Sequence, residues 1–409
     1  MITLSKNKRY LEKNGKFFPY LADTAWTLLQ KLDREEIVYY LDIRKAQGFN
    51  ALQISAISEL DGLRMPNREG QLPFENGDVY DPNPKYFALL RFLLTECRKR
   101  DMVLTLLPSW GDKFNKKWGV GPEIFTPSNA LFYGEYLSGL VGENEDVIFM
   151  LGGDRPIEND NHKKIIDSMA AGLRKGEQVY HLVTYHPCGE ATSLDFLKNC
   201  DYLDFHSIQS GHSFGGFSSE KMIKSVLEQE DKPCLDAESF YEDFPIDFNL
   251  DFNYRFDPHD IRKRIYGNML AGSLGTVYGH QSVWCFKEAA DAEYPYDWKN
   301  ALFRPMANEI KNINIFLDSV DITDMRPYKE CYNTEAIADE KRIVVLFTDK
   351  KTAYLRLGNK KTVSAMWFDI VKGKFIDTKI ITHNGNAIIP PFDNEALLVI
   401  DCKDDNLCR

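Results

Sequence analysis

Residues 147–156 read Val147-Ile148-Phe149-Met150-Leu151-Gly152-Gly153-Asp154-Arg155-Pro156. Five apolar residues in a row suit a strand buried on both faces. Two glycines then break the run, and a carboxylate and a guanidinium follow. A buried strand ending in a charged pair is the pattern of a parallel α/β sheet, whose reacting groups sit just past the strand ends.

The same pattern recurs on both sides. Strand-like runs fall at Tyr20–Asp23, Ala51–Ile54, Met102–Leu107, His181–Tyr185, Tyr202–Phe205, Pro233–Asp236 and Thr276–Tyr278. With 147–151 that makes eight. Residues 33–47, 84–100, 160–175, 218–229 and 258–272 carry helical apolar spacing between them, the first opening on the capping-box pattern Asp33-x-x-Glu36. The reading is an eight-stranded (β/α)8 barrel, with a doubly wound open sheet as the alternative. Residues 1–19 read as a hairpin with runs at Leu4–Lys8 and Tyr10–Lys13 turning at Asn14-Gly15. From about residue 316 short strand-like runs replace the βα rhythm: 342–348, 353–357, 364–369, 378–382 and 395–401, with turns at Gly358-Asn359, Lys372-Gly373 and Asn384-Gly385. The expected organisation is a catalytic barrel over 1–315 and a small β-sandwich over 316–409.

Composition narrows function by exclusion. The 409 residues carry a net charge of −11 and no basic block, which argues against nucleic acid and anionic membranes. No run approaches the roughly 18 apolar residues of a membrane span. The start, Met1-Ile2-Thr3-Leu4-Ser5-Lys6, has no apolar leader pattern, so the expectation is a cytoplasmic protein. Eight cysteines form no Cys-x-x-Cys pair and are expected as free thiols, and eight histidines show no ligand spacing, so neither metal nor cofactor is expected. The oligomeric state is not legible.

The strand ends supply the candidate site. They are Asp23 and Trp26 after the first strand, Gln53 with Asp61 and Arg64 after the second, and Trp110, Asp112 and Lys113 after the third. Asp154 and Arg155 follow the fourth, His186 the fifth, Gln209 and His212 the sixth, Glu238 and Tyr241 the seventh, and His280 and Trp284 the eighth. Asp154 and Glu238 are the sharpest pair. Their strands lie well apart around a barrel, so their carboxyls can face each other across its mouth, as glycosidic cleavage requires. Gly152 and Gly153 would let backbone approach a ligand. Arg155 would depress a neighbouring carboxyl, so an acid role for Asp154 needs Arg155 to point away, towards Glu238 or another acid. Trp26, Trp110 and Trp284 offer flat faces to a sugar ring. The loop 291–299, with Asp291, Glu293, Tyr294, Tyr296, Asp297 and Trp298, is placed to reshape the pocket. Two other readings stand beside this one. One is a barrel that binds carbohydrate or protein without catalysis. The other is a serine hydrolase using Ser213 in Gly211-His212-Ser213-Phe214-Gly215, although a nucleophile elbow needs a helix to begin at the serine and here the helical pattern starts near Ser218. Gly119-Val120-Gly121 follows no strand and does not support nucleotide binding.

These residues resemble the apiosidase-like glycoside hydrolases. The matching blocks are Asp23-Thr24-Ala25-Trp26, Gly48-Phe49-Asn50, Glu59-Leu60-Asp61-Gly62-Leu63-Arg64, Pro108-Ser109-Trp110-Gly111-Asp112-Lys113 and Leu151-Gly152-Gly153-Asp154-Arg155. Tyr185-His186-Pro187, Ile208-Gln209-Ser210-Gly211-His212, Glu238-x-x-Tyr241-Glu242 and Tyr278-Gly279-His280 continue the series in order. Trp367-Phe368-Asp369 with Lys372-Gly373-Lys374 is similar to the family's C-terminal β module of collagen-binding type. The resemblance implies a barrel catalytic domain, Asp154 as acid/base, Glu238 as nucleophile, and release of terminal apiose from pectin oligosaccharides. Ala237-Glu238-Ser239 departs from the family's usual Gly-Glu-Pro.

Overall fold

The structure is a computed structural model that describes residues 1–213, 218–348, 352–355, 362–381 and 386–401. A three-stranded antiparallel sheet opens the chain, at Ile2–Leu4, Leu11–Lys13 and Lys16–Phe18. Its second turn lies at Asn14-Gly15, where φ is 54° and 73°, the left-handed pair that a tight hairpin turn needs. The first strand ends at Leu4 rather than running on to Lys8. Ser5 Oγ accepts the Arg9 and Tyr10 amides and folds 5–10 into a turn.

Eight parallel strands follow: β1 (Tyr20–Thr24), β2 (Ala51–Ser55), β3 (Val103–Leu107), β4 (Val147–Gly152), β5 (Leu182–His186), β6 (His206–Gln209), β7 (Cys234–Glu238) and β8 (Gly275–Tyr278). Continuous parallel ladders run in the order β8-β1-β2-β3-β4-β5, and β6 pairs in parallel with β7. Single backbone bonds bridge the remaining gaps, from Asp204 N to Val183 O at 2.8 Å and from Leu274 N to Cys234 O at 2.7 Å. The sheet is therefore a curled parallel one. Its curl shows in the alternation along each strand. Tyr20, Ala22, Val103, Ile148, Met150, Leu182 and Leu235 share an inner cluster. Leu21, Leu104, Leu106, Phe149, Leu151 and Val183 join the outer core under the helices. Burial on both faces is why these strands read as unbroken apolar runs.

The helices are α1 (Arg34–Ala46), α2 (Pro84–Lys99), α3 (Pro127–Val141), α4 (Asp160–Gly176), α5 (Ser219–Gln229), α6 (Pro258–Ala271) and α7 (Pro305–Ser319). The expected capping box is present at α1, where Asp33 accepts the Glu36 amide and Glu36 accepts the Asp33 amide. Two elements differ from expectation. The sixth strand is at 206–209, not 202–205. Asp204 Oδ2 accepts the Val183 amide and so anchors the approach to the strand, while the polar His206 and Ser207 are themselves fully buried in it. Helix α3 was not anticipated. It packs so closely on α4 that a Cβ on Gly172 would lie 2.1 Å from Leu131 O. Both sides of α3 are thus occupied, and its apolar residues do not gather into one stripe.

From Arg326 onward two antiparallel sheets form. The larger runs in the order Arg326–Pro327, Ala336–Ala338, Arg342–Phe347, Ala396–Asp401, Thr362–Asp369, Lys374–Ile381. The smaller joins Cys331–Tyr332, Ala353–Leu355 and Asn386–Ile388. Ile343, Val345, Phe347, Leu398 and Ile400 share a cluster with Leu355 and Ile388 of the small sheet. The alternate residues Val344, Leu346, Leu397 and Val399 join the main core instead, together with Phe316 of α7. Arg262 of α6 reaches across to Glu395 at 2.6 Å and Glu309 at 3.0 Å. The expected turns at 358–359 and 384–385 lie outside the described residues, as do Cys402 and Cys408. Cys97, Cys188, Cys200, Cys234, Cys285 and Cys331 are free thiols. Among the described residues no helix is long and apolar enough to cross a membrane.

Candidate active site

A cavity of about 660 Å³ opens at the C-terminal ends of the parallel strands. Asp154 and Glu238 both line it, with Trp26, Trp110, Gln209, His212, Tyr241 and Trp284. These are eight of the seventeen strand-end residues singled out from the sequence.

Asp154 leaves β4 through three consecutive left-handed residues, with φ of 86° at Gly152, 111° at Gly153 and 55° at Asp154. The glycines do not clear room for a ligand. A Cβ on Gly152 would stand 2.5 Å from His186 O, and one on Gly153 would stand 2.7 Å from Gly111 N. They let the chain turn tightly between the ends of β3 and β5. The turn sets the Asp154 amide 3.2 Å from His186 Nδ1. Asp154 Oδ2 accepts hydrogen bonds of 2.9 Å from Trp118 Nε1 and from Arg155 Nη1. Arg155 therefore does not point away from Asp154. It spans two acids, since Nη2 also donates to Glu59 Oε1 at 2.7 Å, and its guanidinium lies 4.5 Å from the Trp118 ring centroid.

Glu238 closes β7 and is held by two imidazoles. His186 Nε2 lies 3.1 Å from Oε2, and His212 Nε2 lies 3.2 Å from Oε1. His212 is fixed by stacking on Phe244, 4.1 Å between centroids. His186 sits beneath the cavity floor against Trp26 and Trp110, and Trp26 Nε1 donates to the Tyr241 hydroxyl at 2.8 Å.

These partners drive the two carboxyls apart. Burial and the Glu238 charge raise Asp154 above the ordinary aspartate range, and Arg155 does not offset them. Burial alone would raise Glu238 too, but His186 and His212 bring it down to about 2. One buried carboxyl is thus set to hold a proton and the other to stay ionised, the division of labour that acid–nucleophile chemistry needs. Glu59, also on the cavity wall, is pushed up to about 7 by burial against the pull of Arg155.

The other sequence candidates lie off the cavity and hold structure. Asp23 is fully buried, and its Oδ2 accepts from Tyr40 and Arg44, both at 2.5 Å. Gln53 is sealed within the sheet. Asp61 and Arg64 pair at the surface, 2.8 Å apart. Asp112 and Lys113 form a fully buried pair, and Asp112 also accepts the Gly121 amide at 2.7 Å. His280 bonds Asp243 at 3.0 Å. Arg155 and His186 act on the carboxyls from behind. Each of these polar side chains found a protein partner or a sealed interior, which strand-end position alone does not reveal.

Glu59, Trp118, Phe244, Gln281 and Glu293 line the cavity without having been singled out as site residues. Glu59 stands two residues before the chosen Asp61, and Glu293 and Tyr294 belong to the loop expected to reshape the pocket. Ser213 reaches the cavity, but no helix begins there; α5 begins at Ser219, capped by Ser218. Phe214–Phe217 lie outside the described residues. The nucleophile elbow is therefore not formed at Ser213.

The fold is similar to that of a glycoside hydrolase family 5 protein from Bacteroides vulgatus ATCC 8482, at 23% identity and a TM-score of 0.85, over 98% of this chain and 93% of that one. It is equally similar to a protein described as a glycoside hydrolase, at 22% identity and a TM-score of 0.85, over 99% and 98% of the two chains. A search of curated proteins returns no match. The model of the apiosidase-like catalytic domain matches residues 5–324, the span that carries the curled sheet and both carboxyls, and the chain belongs to that family of glycosidases.

Proposed function

We propose that the protein is an exo-acting, retaining glycosidase that releases terminal apiose or a related furanose from pectin-derived oligosaccharides. The observation that carries the reaction type is the opposed ionisation of Asp154 and Glu238 on one cavity wall. In this reading the curled sheet is a closed (β/α)8 barrel over 1–315, and the two antiparallel sheets of 316–409 form a β-sandwich docked on it.

Glu238, ionised, attacks the anomeric carbon. Asp154, protonated, gives its proton to the departing glycosidic oxygen as that bond breaks. Asp154 then takes a proton from water, which attacks the anomeric carbon and releases the sugar from Glu238. Trp118 and Arg155 fix the Asp154 carboxyl for both steps. Trp26, Trp110 and Trp284 pack against the apolar face of the sugar, while Gln209, His212 and Tyr241 meet its hydroxyls. The test is hydrolysis of a panel of pectin-derived oligosaccharides, with Glu238→Gln as control. Release of apiose or another terminal furanose by the wild type alone supports the proposal. A wild type inert on every furanoside, yet active on pyranosides, contradicts the sugar assignment.

A further inference from the structure

We infer that the sugar unit seated in the cavity, and the unit to which it is linked, carry no carboxylate: the site takes an uncharged glycoside and rejects a uronate. The inference rests on the glycosidase reading above and narrows its substrate.

Charge around the cavity is one-sided. Glu59, Asp154, Glu190, Glu238 and Glu293 line it, and no lysine or arginine does among the described residues. Residues 214–217, Phe-Gly-Gly-Phe in sequence, add no cation. The neighbouring cations are committed elsewhere. Arg155 is fully buried and bonded to Asp154 and Glu59. Lys287 Nζ lies 2.7 Å from Asp291 and 4.5 Å from the Tyr294 ring centroid. His212 is spent on Glu238.

A site built for a uronate supplies an arginine fork or a lysine to the sugar carboxylate. This one instead presents a Glu238 held ionised and two exposed rim carboxylates, Glu190 and Glu293. Low-dielectric walls focus that potential, and a second anion entering it is repelled. The remaining wall is aromatic and indifferent to charge but suited to sugar C–H faces.

The experiment compares ligands that differ in charge alone. Quenching of the cavity tryptophans is titrated with trigalacturonic acid and with its fully methyl-esterified form, at pH 7. In parallel, kcat/KM is measured on an apiofuranoside of galacturonic acid and on its methyl ester. The ester is expected to be preferred at least tenfold in binding. The gap is expected to shrink with added salt and in Glu190→Gln/Glu293→Gln, two exposed substitutions that leave the fold alone. Equal or tighter binding of the acid, or binding of neither ligand, overturns the inference. Preferential binding of the ester with no cleavage of either furanoside leaves this inference standing and counts against the proposed reaction.

Discussion

Arg155 Nη1 lies 2.9 Å from Asp154 Oδ2, and the Asp154 carboxyl nevertheless titrates above the ordinary aspartate range. Burial and the Glu238 charge outweigh the ion pair because the guanidinium is shared with Glu59. The competent form, Glu238 ionised and Asp154 protonated, exists between the two pKa values. Activity should therefore persist into acid, failing only as pH falls toward about 2, where Glu238 protonates. It should fall on the other side as pH rises through the elevated Asp154 pKa. Asp154→Asn and Glu238→Gln should each lower kcat by about 10²–10⁴-fold with folding intact. A kcat/KM profile against pH checks the first expectation, and near wild-type turnover in either variant removes that residue from the mechanism.

Glu59→Gln tests the sharing directly. Removing this carboxylate leaves Arg155 to Asp154 alone and takes away a negative neighbour. The Asp154 pKa should fall, moving the alkaline limb of the profile to lower pH by about 0.5–1 unit. The limb is the readout, since a merely structural role would lower activity without moving it. An unmoved limb would mean that Glu59 does not tune the acid.

Asp23 matched the family pattern yet belongs to the scaffold. It and Arg44 form a pair with both side chains fully buried. Asp23→Ala strands the Arg44 charge and should cost about 3–5 kcal/mol of stability. Denaturant unfolding measures the loss, and KM on the folded fraction should stay within about twofold of wild type. A large rise in KM with unchanged stability would return Asp23 to the substrate site.

Removing residues 316–409 should give an insoluble or strongly destabilised chain. The larger C-terminal sheet is buried on both faces, and Val344, Leu346, Leu397 and Val399 share the core that also contains α6 and α7 residues. Arg262 would also lose Glu395. Thermal unfolding and light scattering of the truncation check this. A truncation as stable as the full chain but inactive would show that the C-terminal sheets contribute to the site.

Much of this was legible in sequence because burial on two faces leaves a strong signal. The β4 run and its Gly-Gly-Asp-Arg ending located both a strand and a cavity carboxyl, and seven of the eight strand positions hold within a residue or two. The sixth strand slipped because its own residues, His206 and Ser207, are polar and buried, while apolar Leu203 and Phe205 precede it. The site was legible as a set of strand ends but not as a set of directions. Nothing in the sequence says that Lys113 turns to Asp112 or that Trp118, far along the β3 loop, swings back to Asp154.

The configuration of the first-formed product tests the central claim most directly. Hydrolysis in the presence of methanol, followed by proton NMR, traps the sugar as a methyl glycoside that cannot mutarotate. Attack by Glu238 itself requires the two carboxyls to stand about 5–5.5 Å apart and gives a methyl glycoside of the same anomeric configuration as the substrate. That is the result predicted. A product of inverted configuration would mean that water attacks directly across a gap of about 6.5–9.5 Å, and that Glu238 is a base rather than the nucleophile.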